Sequence, residues 1–291
     1  MPAVTSANIR HIGALIRRGR NPAATVYDSI GSDFFLEPAP GWLNLGLWEG
    51  PGDSSEAPHA VHRLVDTLAR ELPHSGAVLD VGNGLGAQDL VIAEVVRPER
   101  LVALNITESQ LRAGRARLEA ADAHPVAGDA IRLPVQEASV DGVISVEAAF
   151  HFPSRARFFA EALRVLRPDG VLAFSDVASE RIVPRTPGEL IAGLSNLRIW
   201  GMGRANLATS AQIRDAMFAA GFVDVVVEKV GERVFPPAIK LFRERLAARG
   251  HEQPYLYRLA AHLLLRQWDL LYRRGMMEYL LVRGRRPPSS T

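Results

Sequence analysis

Leu79 to Gln88 reads LDVGNGLGAQ, and this stretch can do chemistry. An apolar run ends in Asp80, and glycines follow at alternate positions: Gly82, Gly84 and Gly86. Glycine lets a backbone pass close under a ligand where a Cβ would clash. Asn83 and Gln88 add polar groups to the same turn. With Ala87 the stretch fits G-x-G-x-x-A, a dinucleotide fingerprint. That fingerprint needs an acid about 20 residues on to grip the ribose hydroxyls. Here the second apolar run ends in Leu104-Asn105-Ile106-Thr107, and the acid is missing. The alternative is the D-x-G-x-G-x-G pattern that starts at Asp80, which fits S-adenosylmethionine (SAM). An acid after a third strand, Asp129 in Gly128-Asp129-Ala130, can accept a hydrogen bond from the adenine 6-amino group. A second constellation suits proton transfer. His151 lies in Glu147-Ala148-Ala149-Phe150-His151-Phe152, and Asp176 closes a later apolar run. Histidine titrates near neutrality, and an aspartate can orient and charge-stabilise it.

These residues need a scaffold that brings them to one edge. From residue 57 the hydrophobic pattern alternates between helix and strand. Helices are expected near 57–72, 87–96, 108–121 and 155–166. Strands are expected at 77–81, 100–104, near 124–127, at 141–146 and at 170–177. Repeated strand–helix–strand units imply a parallel sheet covered by helices on both faces. Beyond 178 the pattern changes. Residues 181–208 have no clean period. Ser210 is expected to cap a helix of about 211–220 that ends at Gly221. A strand at 222–230, a helical stretch over 237–273 and a last strand at 277–282 follow. The expected architecture is α/β, a Rossmann-like doubly wound sheet of seven mostly parallel strands with an antiparallel last strand. Residues 1–55 form an N-terminal cap with a helix near 8–18, 56–180 the ligand-binding core and 181–208 a lid. Residues 209–291 complete the core around the 237–273 insertion. Ligands bind such sheets at the carboxyl ends of the strands. Residues 82–88, 105–110, 129–130, 147–151 and 176 all fall at that edge.

The order of these motifs resembles the class I SAM-dependent methyltransferases. It runs LDVGNGLGAQ, GDAIRLP (128–134), DGVISV (141–146), EAAFHFP (147–153) and LRVLRPDGVLAFSD (163–176). Asn105-Ile106-Thr107-Glu108-Ser109-Gln110 resembles a variant second motif of the small-molecule, sterol and cyclopropane-type members. That resemblance implies that Asn105 and Gln110 hold the ribose in place of an acid. The cofactor side is then Asp80, Gly82, Asn83, Gly84, Gly86, Gln88, Asn105, Ile106, Gln110, Asp129, Ala130 and Glu147. Tyr27-Asp28 with Asp33-Phe34-Phe35, and Leu43-Asn44-Leu45-Gly46-Leu47-Trp48, are similar to the segment that folds over cofactor and substrate in natural-product members. Tyr27 is thereby implied near the methionine carboxylate.

His151 and Asp176 match by position the His/Asp pair of sugar and polyketide O-methyltransferases. The resemblance therefore implies methyl transfer to a hydroxyl of a hydrophobic small molecule, with His151 as base. Carbon methylation of a prenyl or aromatic substrate at Glu147 is the alternative, and amine methylation ranks third. Cyclopropanation is disfavoured, because the glutamate of the AFEHF pattern is missing and the chain has no cysteine. Trp42, Trp48, Phe150, Trp200 and Met202 are expected to line an apolar substrate pocket. The 237–273 stretch either closes that pocket or forms a homodimer face.

Composition narrows the class further. Hydrophobic residues make up 47% of 291, enough for a sizeable core. The absence of cysteine excludes disulfides, thiolate metal sites and cysteine nucleophiles. No His/Asp/Glu cluster has metal-ligand spacing, so no metal is expected. The net charge is only +2, and no basic run interleaves with aromatics, so no nucleic-acid partner is expected. No apolar run reaches ~18 residues, and the first 20 residues lack a signal-peptide core. A soluble, cytoplasmic enzyme is the expectation.

Overall fold

A computed structural model describes residues 41–200, 202–203, 206–252 and 255–289. The expected helix near 8–18 and Tyr27 lie outside the described residues. After helix α1 (Ala57–Ala69) come strand β1 (Ala77–Val81), α2 (Ala87–Val96) and β2 (Arg100–Asn105). Two short helices, α3 (Glu108–Ala113) and α4 (Arg115–Ala120), lead to β3 (Ala123–Ala127). Then come β4 (Val140–Ser145), α5 (Arg155–Val165) and β5 (Leu166–Ala178). The rest of the chain is α6 (Pro187–Ile199), α7 (Ser210–Ala220), β6 (Val223–Lys229), α8 (Phe235–Arg249), α9 (Tyr255–Arg273) and β7 (Glu278–Arg285).

The seven strands form one sheet in the order β3-β2-β1-β4-β5-β7-β6. Neighbours from β3 to β5 pair in parallel. The last strand, β7, runs antiparallel to both β5 and β6, between which it is inserted. The edge on that side is therefore β6, which runs parallel to β5, and the antiparallel strand β7 lies one place in. Strand side chains alternate between two cores. Val78 and Leu101 join α1, α2, α8 and α9 on one face. Leu79, Leu104 and Leu172 join Phe158 and Phe159 of α5 and Met217 of α7 on the other. Phe158 and Phe159 are completely buried, which stabilises the fold by about 1.5–3 kcal/mol each.

Several local readings change. The helix expected over 108–121 breaks at Gly114, where a Cβ would stand 2.7 Å from the Leu85 carbonyl oxygen of the glycine turn. Close passage under that turn takes precedence over helix continuity. The cap of α7 is Thr209 rather than Ser210. The Thr209 hydroxyl accepts from the Gln212 backbone, and Gln212 returns the bond. Gly221 ends α7 at φ +107°, in the left-handed region. Residues 181–208, read as aperiodic, contain the 13-residue helix α6. Its start has a recognisable signal, with Thr186 as cap, Pro187 in the first turn and Glu189 donating its backbone N–H to the threonine hydroxyl. Its period is obscured because Leu190, Ile191 and Leu194 stay exposed. The 237–273 stretch is two helices, and α9 packs on both α8 and α6. Among the described residues no helix is long and apolar enough to cross a membrane.

Candidate active site

Two cavities open at the carboxyl ends of the strands. The first, about 190 Å³, lies over the glycine turn. Gly82, Gly84 and Gly86 all have positive φ, at 85°, 61° and 81°. A Cβ on Gly82 would come within 2.5 Å of the Ala148 Cβ, so only glycine leaves the turn this close to the loop after β4. Gly82, Gly84 and Gln88 line one side of the cavity. Asn105, Ile106 and Gln110 line another, and Asp129 with Ala130 a third. The Asn105 amide donates to Gln110 Oε1 at 3.0 Å, and Asn105 Oδ1 accepts from the Thr107 backbone N–H. Asn105 and Gln110 therefore act as one prepared polar pair.

Three residues expected at the ligand lie behind the turn. Asp80 is completely buried and accepts from Gln88 Nε2 through both oxygens, at 2.8 and 2.7 Å. Asn83 joins Asp89 at 3.2 Å and supports Asn105 at the same distance. Gly86 starts α2. Burial pushes Asp80 well above the usual carboxylate range and Asp89 to about 7. These buried polar groups make a foundation that fixes the shape of the turn.

The second cavity, about 290 Å³, lies between the end of β5, α6 and the α9–β7 connection. Leu190, Leu194 and Leu197 of α6, Leu271 of α9, and Met276 and Met277 give it an apolar wall. Phe150, Trp200 and Met202 line it as expected. Phe150 meets Trp200 edge-on at 6.0 Å, and Trp200 stacks on Trp268 of α9 at 5.1 Å. From the 237–273 stretch Leu271 lines the cavity, and Trp268 backs it by stacking on Trp200. Trp42 and Trp48 are corrections, because neither lines this cavity. Trp48 is 2% exposed in the core, with its indole N–H donated to the Leu45 carbonyl. Trp42 packs on that core beside His62. In the LNLGLW segment it is Leu43 that lines the first cavity and Leu45 the second.

Among the described residues, Glu147 alone lines both cavities. It bends the chain at φ 49°, and its Oε1 accepts from the Leu45 backbone N–H at 2.6 Å and from the Tyr279 hydroxyl at 2.8 Å. Burial raises its carboxyl to about 7. His151 lines the first cavity and turns its ring toward the second, 4.1 Å from Phe150 and 6.4 Å from Trp200. Loss of solvation lowers its pKa to about 4. A hydrogen bond to the Trp200 backbone opposes that shift, and the Arg155 charge adds to it.

The direct His151–Asp176 partnership is a correction. Asp176 is completely buried and gives both carboxylate oxygens to Arg155, at 2.6 and 2.9 Å. A guanidinium presents a planar fork that matches a carboxylate, and its positive charge holds the aspartate more strongly than a neutral imidazole would. Sequence reasoning missed Arg155, Asn206 and Tyr279. Arg155 had a signal, since positions 155, 158, 159 and 162 share the buried face of α5 and an arginine there needs a partner. Tyr279 had one too, as a hydroxyl on a strand that is buried from 279 to 282. Asn206 had none.

Residues 79–174 match a family described as a methyltransferase domain. An erythromycin 3''-O-methyltransferase from Saccharopolyspora erythraea is 31% identical over 246 residues, 79% of this chain and 77% of that one. The chain belongs to the class I SAM-dependent methyltransferases. A 27-O-demethylrifamycin SV methyltransferase from Amycolatopsis mediterranei is 26% identical over 251 residues, covering 84% and 90% of the two chains. Among solved structures, the mycolic acid cyclopropane synthase CmaA1 superposes with a TM-score of 0.74 at 19% identity, over 87% of this methyltransferase and 92% of the synthase. That last likeness concerns the fold alone. The cofactor of the methyltransferase is SAM. The first cavity fits it: a turn whose neighbour excludes a Cβ at Gly82, a paired amide at Asn105 and Gln110, and a carboxylate at Asp129.

Proposed function

We propose that this methyltransferase moves a methyl group to a hydroxyl of a hydrophobic small molecule, with the neutral His151 imidazole as the base. The observation that carries this reading is that His151 lines the cofactor cavity while its ring contacts Phe150 and Trp200, which line the apolar one. When bound, SAM supplies an electrophilic methyl group on its own leaving group. The chain then has to position the acceptor and take one proton. The apolar cavity orients the acceptor by shape, with few polar groups, as small-molecule pockets do. An imidazole with its pKa lowered to about 4 is unprotonated at neutral pH and so available as an acceptor. Relatives named for O-methylation of erythromycin and for 27-O-demethylrifamycin SV support a hydroxyl on a large natural product.

Carbon methylation at Glu147 is the second reading, favoured by its place on both cavities. It ranks lower because Oε1 already fastens Leu45 and Tyr279, and a carboxyl near 7 is half protonated at neutral pH. The deciding experiment offers tritiated SAM with hydroxylated, prenylated and amine metabolites in parallel. We expect label on an oxygen of a hydroxylated acceptor. Label on carbon or nitrogen alone would overturn the proposal.

On the cofactor side, Asn105 and Gln110 take the ribose hydroxyls, Asp129 the adenine amino group, and Gln88 and the glycine backbone border the amino-acid part. Gln110→Ala removes a hydrogen bond of ~0.5–1.5 kcal/mol net, so calorimetry should record SAM binding weakened roughly 2–10-fold. Wild-type affinity would reduce Gln110 to a partner of Asn105.

A further inference from the structure

The residues 149–151 that carry the imidazole form a single 3-10 turn. Its internal support is slight: the His151 backbone donates to Ala148 and the Phe152 backbone to Ala149. One such turn does not hold its own geometry. Its fastening comes from 54 to 56 residues away in the chain. The side-chain amide nitrogen of Asn206 donates to the Phe150 carbonyl at 3.2 Å and to the Phe152 carbonyl. These two carbonyls flank His151 on either side. An asparagine amide has two N–H donors, so both are committed to this turn. Asn206 is itself 3% exposed, and its backbone carbonyl accepts from Arg155. The same guanidinium binds Asp176 through two bonds and the Val177 carbonyl at 2.9 Å. A second tie runs from the lid to the ring, through the hydrogen bond of the imidazole to the Trp200 backbone at the end of α6.

We propose that Asn206 is a positioning residue for His151: held by the Arg155–Asp176 pair, it sets the direction of the imidazole from the lid side, so that the lid wall of the acceptor cavity and the base move as one piece. The functional meaning of this arrangement rests on the reading of His151 as base. Trp200 and Asn206, which carry the two ties, line the acceptor cavity, as do Met202 between them and Leu207 just beyond. An acceptor that displaces this wall would therefore also displace the imidazole, and a well-seated acceptor leaves it aligned. Asp176 contributes to the base through two intermediaries rather than by contact.

The test reads the imidazole itself and needs no acceptor. Protein labelled with ¹⁵N-histidine and saturated with S-adenosylhomocysteine is observed by NMR, and the His151 ring signals are assigned by their loss in His151→Asn. Wild-type protein should show one tautomer and a titration midpoint near about 4. Asn206→Ala should give averaged shifts of mixed tautomers and move the midpoint up toward the ordinary ~6.5. Asn206→Asp keeps the size of the side chain but cannot donate when ionised, and should do the same; it serves if the alanine variant folds poorly. The other seven histidines should keep their signals. Unchanged His151 signals in the variants overturn the proposal, and so does a displacement shared by all eight histidines. Failure of the base reading is seen separately, as turnover that survives His151→Ala while the Asn206 variants still disturb the ring.

Discussion

We expect His151→Ala to lower turnover by ~10²–10⁴-fold, the usual contribution of a positioned base, while SAM affinity stays within a few-fold of wild type. The argument is geometric before it is electrostatic. The imidazole stands at the boundary of the two cavities, beside both Phe150 and Trp200. Its pH dependence differs from that of an ordinary histidine. On the proposed reading the neutral ring is the active form, and its pKa is lowered from 6.5 to about 4. The rate therefore stays level as pH falls through 6.5 and is lost only near about 4, provided the fold persists. The unperturbed value would put that loss more than two pH units higher, at a proton concentration over a hundred-fold lower. The low basicity has a cost, because a weaker base withdraws the hydroxyl proton effectively only as the methyl group transfers. Steady-state kinetics of His151→Ala and Glu147→Gln on one acceptor separate the two chemistries. Carbon methylation predicts an inactive Glu147→Gln and a largely active His151→Ala. Full activity in both would leave proximity alone as the catalytic device.

Asp176→Ala costs about 3–5 kcal/mol of stability, the usual penalty for leaving one charge of a buried pair uncompensated. Arg155 is 6% exposed and loses two of its bonds in that variant. Replacing both partners, Arg155→Met with Asp176→Leu, should recover most of that stability, because the desolvation cost of both ions disappears together. Urea unfolding monitored by circular dichroism measures both values. A single variant that loses less than about 1 kcal/mol would mean that water reaches the guanidinium. Activity should not recover with stability in the double variant, since Asn206 has then lost its anchor on Arg155.

The sheet was legible because its signals are local. AVLDV at 77–81 and the helix at 87–96 are found where the apolar pattern and the glycine turn put them. The antiparallel last strand also followed from the order of elements. Residues whose role is set by a distant partner were less legible. Asp176 was read against the nearest chemically suitable group, His151. Its actual partner is Arg155, 21 residues upstream, and only the packing of α5 on the sheet brings them together. Trp48 was read as a pocket residue because its type suits one, yet its indole finds a carbonyl three residues back and sinks into the core. Helix α6 escaped because its apolar residues divide between cavity and solvent, which removes the period that betrays a helix resting on a core. Asn206 carries no sequence signal at all, because its partners are backbone carbonyls, which every residue has.

The meeting of the two cavities at Glu147 bears on how such an enzyme diversifies. Among the described residues, the linings share only that side chain. Apart from Leu45, Glu147 and Phe150, the wall of the second cavity comes from residues after 176, whereas the glycine turn and its buried foundation lie between 80 and 110. Substitutions at Leu190, Leu194, Leu271 or Met276, away from the Trp200 and Asn206 ties to His151, would remodel the second compartment without touching the glycine turn, and sites that share no partner contribute additively. With the acceptor in the second cavity, as proposed, its preference would be free to drift in small independent steps while the methyl-donor machinery stays constant. The same partition makes α6 and the α9–β7 connection the places to mutagenise when a new acceptor is sought.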